Sequence, residues 1–137
     1  MNQPSPSLLR RLCLPAAATT VFLLFYLGAQ PFAVGLVPEP WDKLAHFVVF
    51  GGIAGLLAVG TARPQPLRLV LLVSVIGALD EWHQVYLPGR SADVMDLATD
   101  VAAAIVVVTA IDWLRLRGAV RAAGGARRKE RSTCAES

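Results

Sequence analysis

Four long apolar segments constrain the fold of this chain more than any other feature. They lie at about residues 12–29, 43–60, 67–87 and 93–114. Each has about 18 to 22 residues, which at about 1.5 Å per residue is enough to cross a hydrocarbon layer of about 30 Å. Charged residues make up only 17% of the chain, fewer than in a typical soluble domain. The sequence therefore predicts an all-α, polytopic membrane protein with a four-transmembrane-helix bundle.

The distribution of lysine and arginine predicts the orientation of this bundle. Eleven of the thirteen basic residues lie near the chain ends or between the second and third segments, whereas Lys43 and Arg90 lie on the opposite side. Both termini should therefore be cytoplasmic. Residues 1–117 are expected to form the membrane domain, and residues 118–137 a basic, disordered cytoplasmic tail.

The first apolar segment has a second interpretation, and the cysteines and the pI need a separate explanation. Arg10 and Arg11 precede the first segment and LGAQ ends it, so this segment could instead be a cleaved signal peptide. The spacing of Cys13 and Cys134 resembles neither a metal site nor a disulfide framework, and we expect reduced thiols. The pI near 9.3 is explained by the positive ends of a membrane protein, so we expect no nucleic-acid partner.

Polar residues occur in three of the segments at one depth. Asp80 lies seven residues before Leu87, and Asp100 lies seven residues after Asp93, which places both about 10 Å below the outer ends of their helices. His46 lies near the outer end of the second segment. Because ionisable side chains are costly in lipid, three polar stripes at one depth should face one another.

Helical spacing supports this convergence, because residues three, four or seven positions apart share a helix face. Sets with such spacing are Asp42 and His46, Asp80 and Gln84, Glu81 and Gln84, and Asp93, Asp96 and Asp100. The candidate residues of an outward-opening pocket are Asp42, Lys43, His46, Asp80, Glu81, Gln84, Arg90, Asp96 and Asp100. Acids outnumber bases here, so some carboxylates should be protonated, paired with Arg90, or bound to a cation.

A purely structural role is an alternative for several of these residues. Asp42 and Asp93 could serve as helix N-caps, and the Lys43 side chain could extend to the membrane surface. His46 could be a packing residue, and His83 could lie among lipid headgroups. No metal-binding motif such as HxExxH is present, so no metal ligand is assigned and no cofactor is expected, although a divalent cation is compatible with the acidic residues.

Three motifs resemble the VanZ-like family of small bacterial integral membrane proteins: DKLAHFVVFGGIAGLL, DEWHQVYLPGR and SADVMDLATD, in this order. The resemblance covers about residues 41–107. Its motif positions are Asp42, Lys43, His46 and Phe47, then Asp80, Glu81, Gln84, Pro88, Gly89 and Arg90, then Asp96 and Asp100. It implies a multi-pass protein of the bacterial cytoplasmic membrane with a cell-envelope role, because the founding member is associated with low-level resistance to teicoplanin-type antibiotics.

Three functions are compatible with these residues. The first is binding or modulation of a cell-envelope lipid or a lipoglycopeptide-type amphiphile, with Arg90 suited to phosphate or carboxylate. The second is an intramembrane enzyme that acts on an envelope lipid through His46, Glu81 and Asp96, although Ser91 is the only candidate nucleophile and has no triad signature. The third is an ion-coupled carrier. Membrane lipids are the expected partners, and the sequence does not fix an oligomeric state.

Overall fold

The chain folds into four α-helices over the residues that this computed structural model describes, 8–62 and 64–135, with side chains as far as residue 125. The helices are α1 (Leu8–Gly28), α2 (Trp41–Gly60), α3 (Pro66–Val85) and α4 (Val94–Ala135). A 3-10 helix, Pro31–Ala33, follows α1. The predicted all-α fold is confirmed, and each predicted segment corresponds to one helix.

Three of these helices are long and apolar enough to cross a membrane: α1, α2 and the Val94–Gly125 part of α4. The helix α3 is equally long, but every stretch of 18 residues within it includes Arg68, Asp80 and Glu81. Large apolar side chains such as Val48 and Val75 are exposed on the outside of the bundle, where lipid rather than water would suit them. The chain is a membrane protein, and a fourth span through α3 remains a prediction.

Short connections make consecutive helices antiparallel neighbours. Residues 61–65 join α2 to α3, and residues 86–93 join α3 to α4. Pro66 begins α3, a position that suits proline because the first turn of a helix leaves its N–H groups without intrahelical acceptors. Arg90 contacts the last residue of α1, Gly28, and Lys43 contacts the residue before α4, Asp93. One end of the bundle, which we call the polar end, therefore contains the ends of α1 and α3 and the starts of α2 and α4.

The core lies away from the polar end, between α2, α3 and α4. Its buried members are Phe50, Ile53, Ala54, Ala58, Leu69, Val73, Ala103, Ala104 and Val108. Small residues let α2 approach α4 closely, since a Cβ built at Gly51 would lie 3.4 Å from Val107. Gly52, Ala98 and Ala102 take no part in this approach, because a Cβ added at Gly52 would have no neighbour within 4 Å and the two alanines are exposed.

The C-terminal region differs from its predicted form. The sequence predicted a disordered tail from residue 118, whereas α4 continues to Ala135. Alanine and arginine, frequent in this stretch, are strong helix formers, which accounts for the extension.

Cys13 is buried and makes no disulfide with the described residues. Arg63, residues 136–137 and the side chain of Cys134 lie outside the described parts of the chain.

Candidate functional site

Lys43 connects the start of α2 to the start of α4. Its Nζ lies 3.1 Å from Asp93 Oδ2, 3.2 Å from Asp96 Oδ1 and 3.3 Å from Asp42 Oδ2. The Lys43 side chain is 29% exposed, so the cluster is open on one side. Lys43 therefore does more than extend to the membrane surface, because it neutralises carboxylates from two helices.

Asp93 also belongs to this cluster, although it is not among the candidate residues predicted from the sequence; its spacing with Asp96 and Asp100 indicates the shared helix face. It is the N-cap of α4, since its Oδ1 accepts the backbone N–H of Met95 at 2.8 Å, as predicted. This hydrogen bond and the one from Lys43 hold the pKa of Asp93 below its ordinary value of 3.8. Asp42 does not cap α2, because it lies inside the first turn and the N-cap position is Pro40.

His46 connects α2 to two carboxylates of α4, those of Asp100 and Asp96. Its Nδ1 lies 3.0 Å from Asp100 Oδ1, within hydrogen-bonding distance, and its Nε2 lies 3.8 Å from Asp96 Oδ2. The His46 ring also stacks on Phe50, with 5.8 Å between the ring centroids. His46 thus has both the packing role and the polar contacts that the sequence left as alternatives.

Asp100 is fully buried, and a glycine on α3 makes this possible. A Cβ added at Gly77 would lie 2.8 Å from Asp100 Oδ2 and 3.3 Å from Asp100 Cβ. Any side chain at position 77 would therefore collide with the carboxylate. Because Gly77 has no side chain, α3 can pack directly against Asp100 of α4.

The helix α3 contributes three buried polar side chains. Gln84 Nε2 donates to Asp80 Oδ2 at 2.9 Å, one helical turn away. Glu81 Oε2 accepts the backbone N–H of Asp93 at 2.7 Å, which holds the start of α4 against the end of α3. The other oxygen of Glu81, Oε1, and Oδ2 of Asp100 are buried and have no hydrogen-bond partner.

The motif Pro88-Gly89-Arg90 forms a turn, and the side chain of Arg90 reaches the end of α1. Gly89 has φ of +78°, and the N–H of Arg90 donates to the carbonyl of Leu87 at 3.1 Å. Proline followed by a positive-φ glycine is typical of a type II turn. Arg90 Nη2 donates to the carbonyl of Gly28 at 3.3 Å, and Nε is buried without a partner. The predicted alternative of a carboxylate paired with Arg90 is not found among the described residues.

A cavity of about 410 Å³ lies beside the acidic residues, between α1, residues 32–37 and α2. We call it the α1–α2 cavity. Most of its wall is apolar, and the polar side chains of Asp42, His46 and Arg90 face it together with Thr20. Its apolar lining residues are Leu23, Leu24, Leu27, Phe32, Ala33, Leu36, Val37, Ala45, Val49 and Phe50.

The predicted pocket residues thus lie in two adjoining places. We call the first the acidic cluster, which contains Asp42, Lys43, His46, Asp80, Glu81, Gln84, Asp93, Asp96 and Asp100. The second is the α1–α2 cavity, which Arg90 lines without making a salt bridge to any described acid. Asp42 and His46 belong to both. The contribution of α1 was not predicted, because its sequence carries no polar motif to mark the cavity.

Comparisons with known proteins add one finding. The family model described as VanZ/LLP1 matches residues 9–115, from the start of α1 to the middle of α4. This range includes the first helix, beyond the three motifs. No curated protein and no solved structure matches the chain.

Proposed function

This chain belongs to the VanZ/LLP1 family, and we propose that it binds an amphiphile of the bacterial cell envelope in the α1–α2 cavity. The observation that carries the proposal is the composition of the cavity wall. Aliphatic and aromatic side chains form most of it, and Arg90, His46 and Asp42 supply a few polar groups. A concave site of this size with this lining is typical of small-molecule binding, and the mixture suits an apolar chain with a polar head.

Arg90 is the group best placed to select the head. A guanidinium has five N–H donors, yet Arg90 makes only the hydrogen bond to Gly28 O among its side-chain contacts with the described residues. Its buried Nε has no acceptor. Arginine recognises phosphate and carboxylate through paired hydrogen bonds. The ligand is therefore an anionic amphiphile, which a membrane phospholipid or a lipoglycopeptide could each provide.

The proposed location is the bacterial cytoplasmic membrane, with all four helices spanning it and both termini cytoplasmic. The positive charges support this orientation, because the polar end carries only Lys43 and Arg90 among the basic residues. The α1–α2 cavity would then face the outer half of the membrane. Reporter fusions after Pro38 and after Gly125 test this arrangement: a periplasmic signal at the first and a cytoplasmic signal at the second are expected, and the reverse would contradict it.

Binding can be measured on the full chain in detergent by native mass spectrometry and by the shift in melting temperature. The probes are phosphatidylglycerol, teicoplanin, and diacylglycerol, which lacks the anionic group. We expect phosphatidylglycerol, teicoplanin or both to bind more tightly than diacylglycerol. Arg90→Gln should abolish this preference, and Ala45→Phe, which fills the cavity, should reduce binding of every probe.

Arg115→Gln is a matched control, because Arg115 also donates to a backbone carbonyl, that of Ala58 at 2.7 Å, but far from the cavity. It should leave binding unchanged. Binding of phosphatidylglycerol alone would identify a lipid ligand, and binding of teicoplanin alone an antibiotic ligand. Equal binding of all three probes, or loss of binding in Arg115→Gln but not in Arg90→Gln, would contradict the proposal.

An intramembrane enzyme is the second candidate, and the hydrogen bond between His46 and Asp100 favours it. A carboxylate that orients a histidine is a common part of general-base catalysis, and His46 faces the cavity. Ser91 is exposed and makes no side-chain hydrogen bond to His46. Profiles of envelope lipids and precursors from deletion and overexpressing cells test this candidate, since an enzyme must change them and a binding protein without catalysis need not.

An ion-coupled carrier has less support, because the buried polar residues described all lie at the polar end.

A further inference from the structure

Three potential metal ligands from three helices meet inside the acidic cluster. One ligand atom each from His46 on α2, Glu81 on α3 and Asp100 on α4 lie within 4.8 Å of one another. Glu81 and Asp100 are 7% and 0% exposed. The three residues belong to three separate motifs, and the packing of the helices brings them together.

Two buried oxygen atoms at this point lack a partner. Glu81 Oε1 and Asp100 Oδ2 accept no hydrogen bond from the described residues, whereas the other oxygen of each carboxylate is engaged, by Asp93 N and His46 Nδ1 respectively. A buried carboxylate oxygen without a donor is costly. Each of the two groups therefore needs a proton or a cation.

The basic side chains nearby do not supply that cation. Lys43 is shared by Asp42, Asp93 and Asp96, and Arg90 turns to Gly28. Among the described salt bridges, Asp100 pairs only with His46, and Glu81 pairs with no basic side chain. Asp80, whose Oδ2 accepts from the neutral Gln84 side chain, likewise has no salt bridge among the described residues, but only Glu81 and Asp100 leave a buried oxygen without a donor.

We propose that His46, Glu81 and Asp100 bind a divalent first-row metal ion, of which Zn²⁺ is the test case. An imidazole nitrogen with two carboxylates suits Zn²⁺ or Mn²⁺, whereas Ca²⁺ and Mg²⁺ prefer oxygen ligands throughout. His46 Nδ1 and Asp100 Oδ1 are 3.0 Å apart, a separation that two ligands about 2.0–2.2 Å from one ion can have. The other ring nitrogen of His46 faces Asp96 at 3.8 Å, a common second partner for a metal-bound histidine.

This site adjoins the amphiphile cavity through His46, which lines both, but its other two ligands, Glu81 and Asp100, do not line the cavity. The metal content of the full chain, purified in detergent and dialysed against Zn²⁺, tests it directly. We expect one Zn²⁺ per chain, a melting temperature that EDTA lowers and Zn²⁺ restores, and a weaker effect of Ca²⁺. X-ray absorption at the zinc edge should show nitrogen and oxygen ligands and no sulfur.

Matched variants locate the ion. His46→Gln, Glu81→Gln and Asp100→Asn should each lose the bound Zn²⁺ while the helical circular dichroism is retained. His83→Gln and Asp112→Asn, which change the same residue types on α3 and α4 outside the site, should keep it. No Zn²⁺ on the wild-type chain, sulfur ligands in the absorption spectrum, or retention of Zn²⁺ in His46→Gln with loss in His83→Gln would overturn the proposal. The wild-type measurements decide the question even where a variant does not fold.

Discussion

The two halves of the bundle hold the same three helices together by different means. At the polar end, α2, α3 and α4 are joined by directed contacts such as Lys43 to Asp96 and the Glu81 carboxylate to the Asp93 N–H. In the other half, apolar residues such as Ile53, Val73 and Val108 are buried together, with no polar side chain among them. Apart from the hydrogen bond from Arg115 to the carbonyl of Ala58, this half is held together by apolar packing, whereas the polar end buries ionisable side chains that such packing does not require.

This difference bears on function, because burying a polar side chain costs free energy that an apolar side chain at the same position would not cost. Replacing buried ion pairs with well-packed apolar residues is often neutral or stabilising. The polar end nevertheless buries Asp80, Glu81, Asp96 and Asp100, all within the span of the family match. We infer that the apolar half supplies stability and that the polar end supplies binding.

The largest expected effect comes from the apolar half. Ile53→Ala removes a side chain that is 0% exposed and should lower the free energy of unfolding by about 2–5 kcal/mol, the usual result of such a cavity. Ile105→Ala is the matched control, because Ile105 is 46% exposed and faces outward. Thermal unfolding in detergent measures both. Equal losses would show that the apolar half does not hold the bundle together as described.

A smaller effect is expected at the boundary between the two halves. Gly77→Ala would place a Cβ 2.8 Å from Asp100 Oδ2, and such overpacking typically costs about 1–3 kcal/mol. Gly52→Ala introduces the same group where nothing lies within 4 Å and should cause no loss. The difference in melting temperature between the two variants checks this. A Gly77→Ala protein as stable as Gly52→Ala would mean that α3 does not press against Asp100.

The smallest effect concerns Asp93 at the polar end. The Met95 N–H and Lys43 lower the pKa of Asp93 in the folded protein. Ionised Asp93 therefore stabilises the fold at pH values above its ordinary pKa of 3.8. This stabilisation is lost as the pH falls toward the lower pKa of the folded state. Asp93→Asn keeps a good N-cap but removes the charge. Its melting temperature should therefore fall less than that of the wild type between neutral pH and pH 3. An identical fall would show that Lys43 does not stabilise the ionised carboxylate.

Much of the fold was predictable because membrane helices carry strong local signals. The apolar segments predicted most helix ends to within a few residues, with α2 beginning at Trp41 rather than Lys43 and α3 ending at Val85 rather than Leu87. The exception is the end of α4, which lies at Ala135 rather than near residue 114. The spacing of polar residues predicted helix faces that the structure shows in contact, such as His46 with Asp100. Both signals depend on the helical repeat alone.

The remainder depended on tertiary contacts that no local pattern encodes. Pairing of a carboxylate with Arg90 was one expectation, but Arg90 donates to the backbone carbonyl of Gly28 instead. The α1–α2 cavity forms where residues 32–37 lie between α1 and α2, and its wall has no distinctive motif. Lys43 could be placed at the membrane surface from its position, yet two of its three carboxylate partners, Asp93 and Asp96, come from the way in which α4 packs on α2.

A charge-reversal cycle between Lys43 and Asp96 tests most directly whether charged side chains from separate helices meet. The quantity measured is the melting temperature of each variant in detergent. Lys43→Asp and Asp96→Lys should each destabilise the protein, and the double variant should recover most of the loss because Nζ and Oδ1 of these residues are 3.2 Å apart. Lys43→Asp combined with Asp112→Lys is the control, and no recovery is expected there. Additive losses in the Lys43–Asp96 double variant, equal to those of the control pair, would contradict the meeting of α2 and α4 at the polar end.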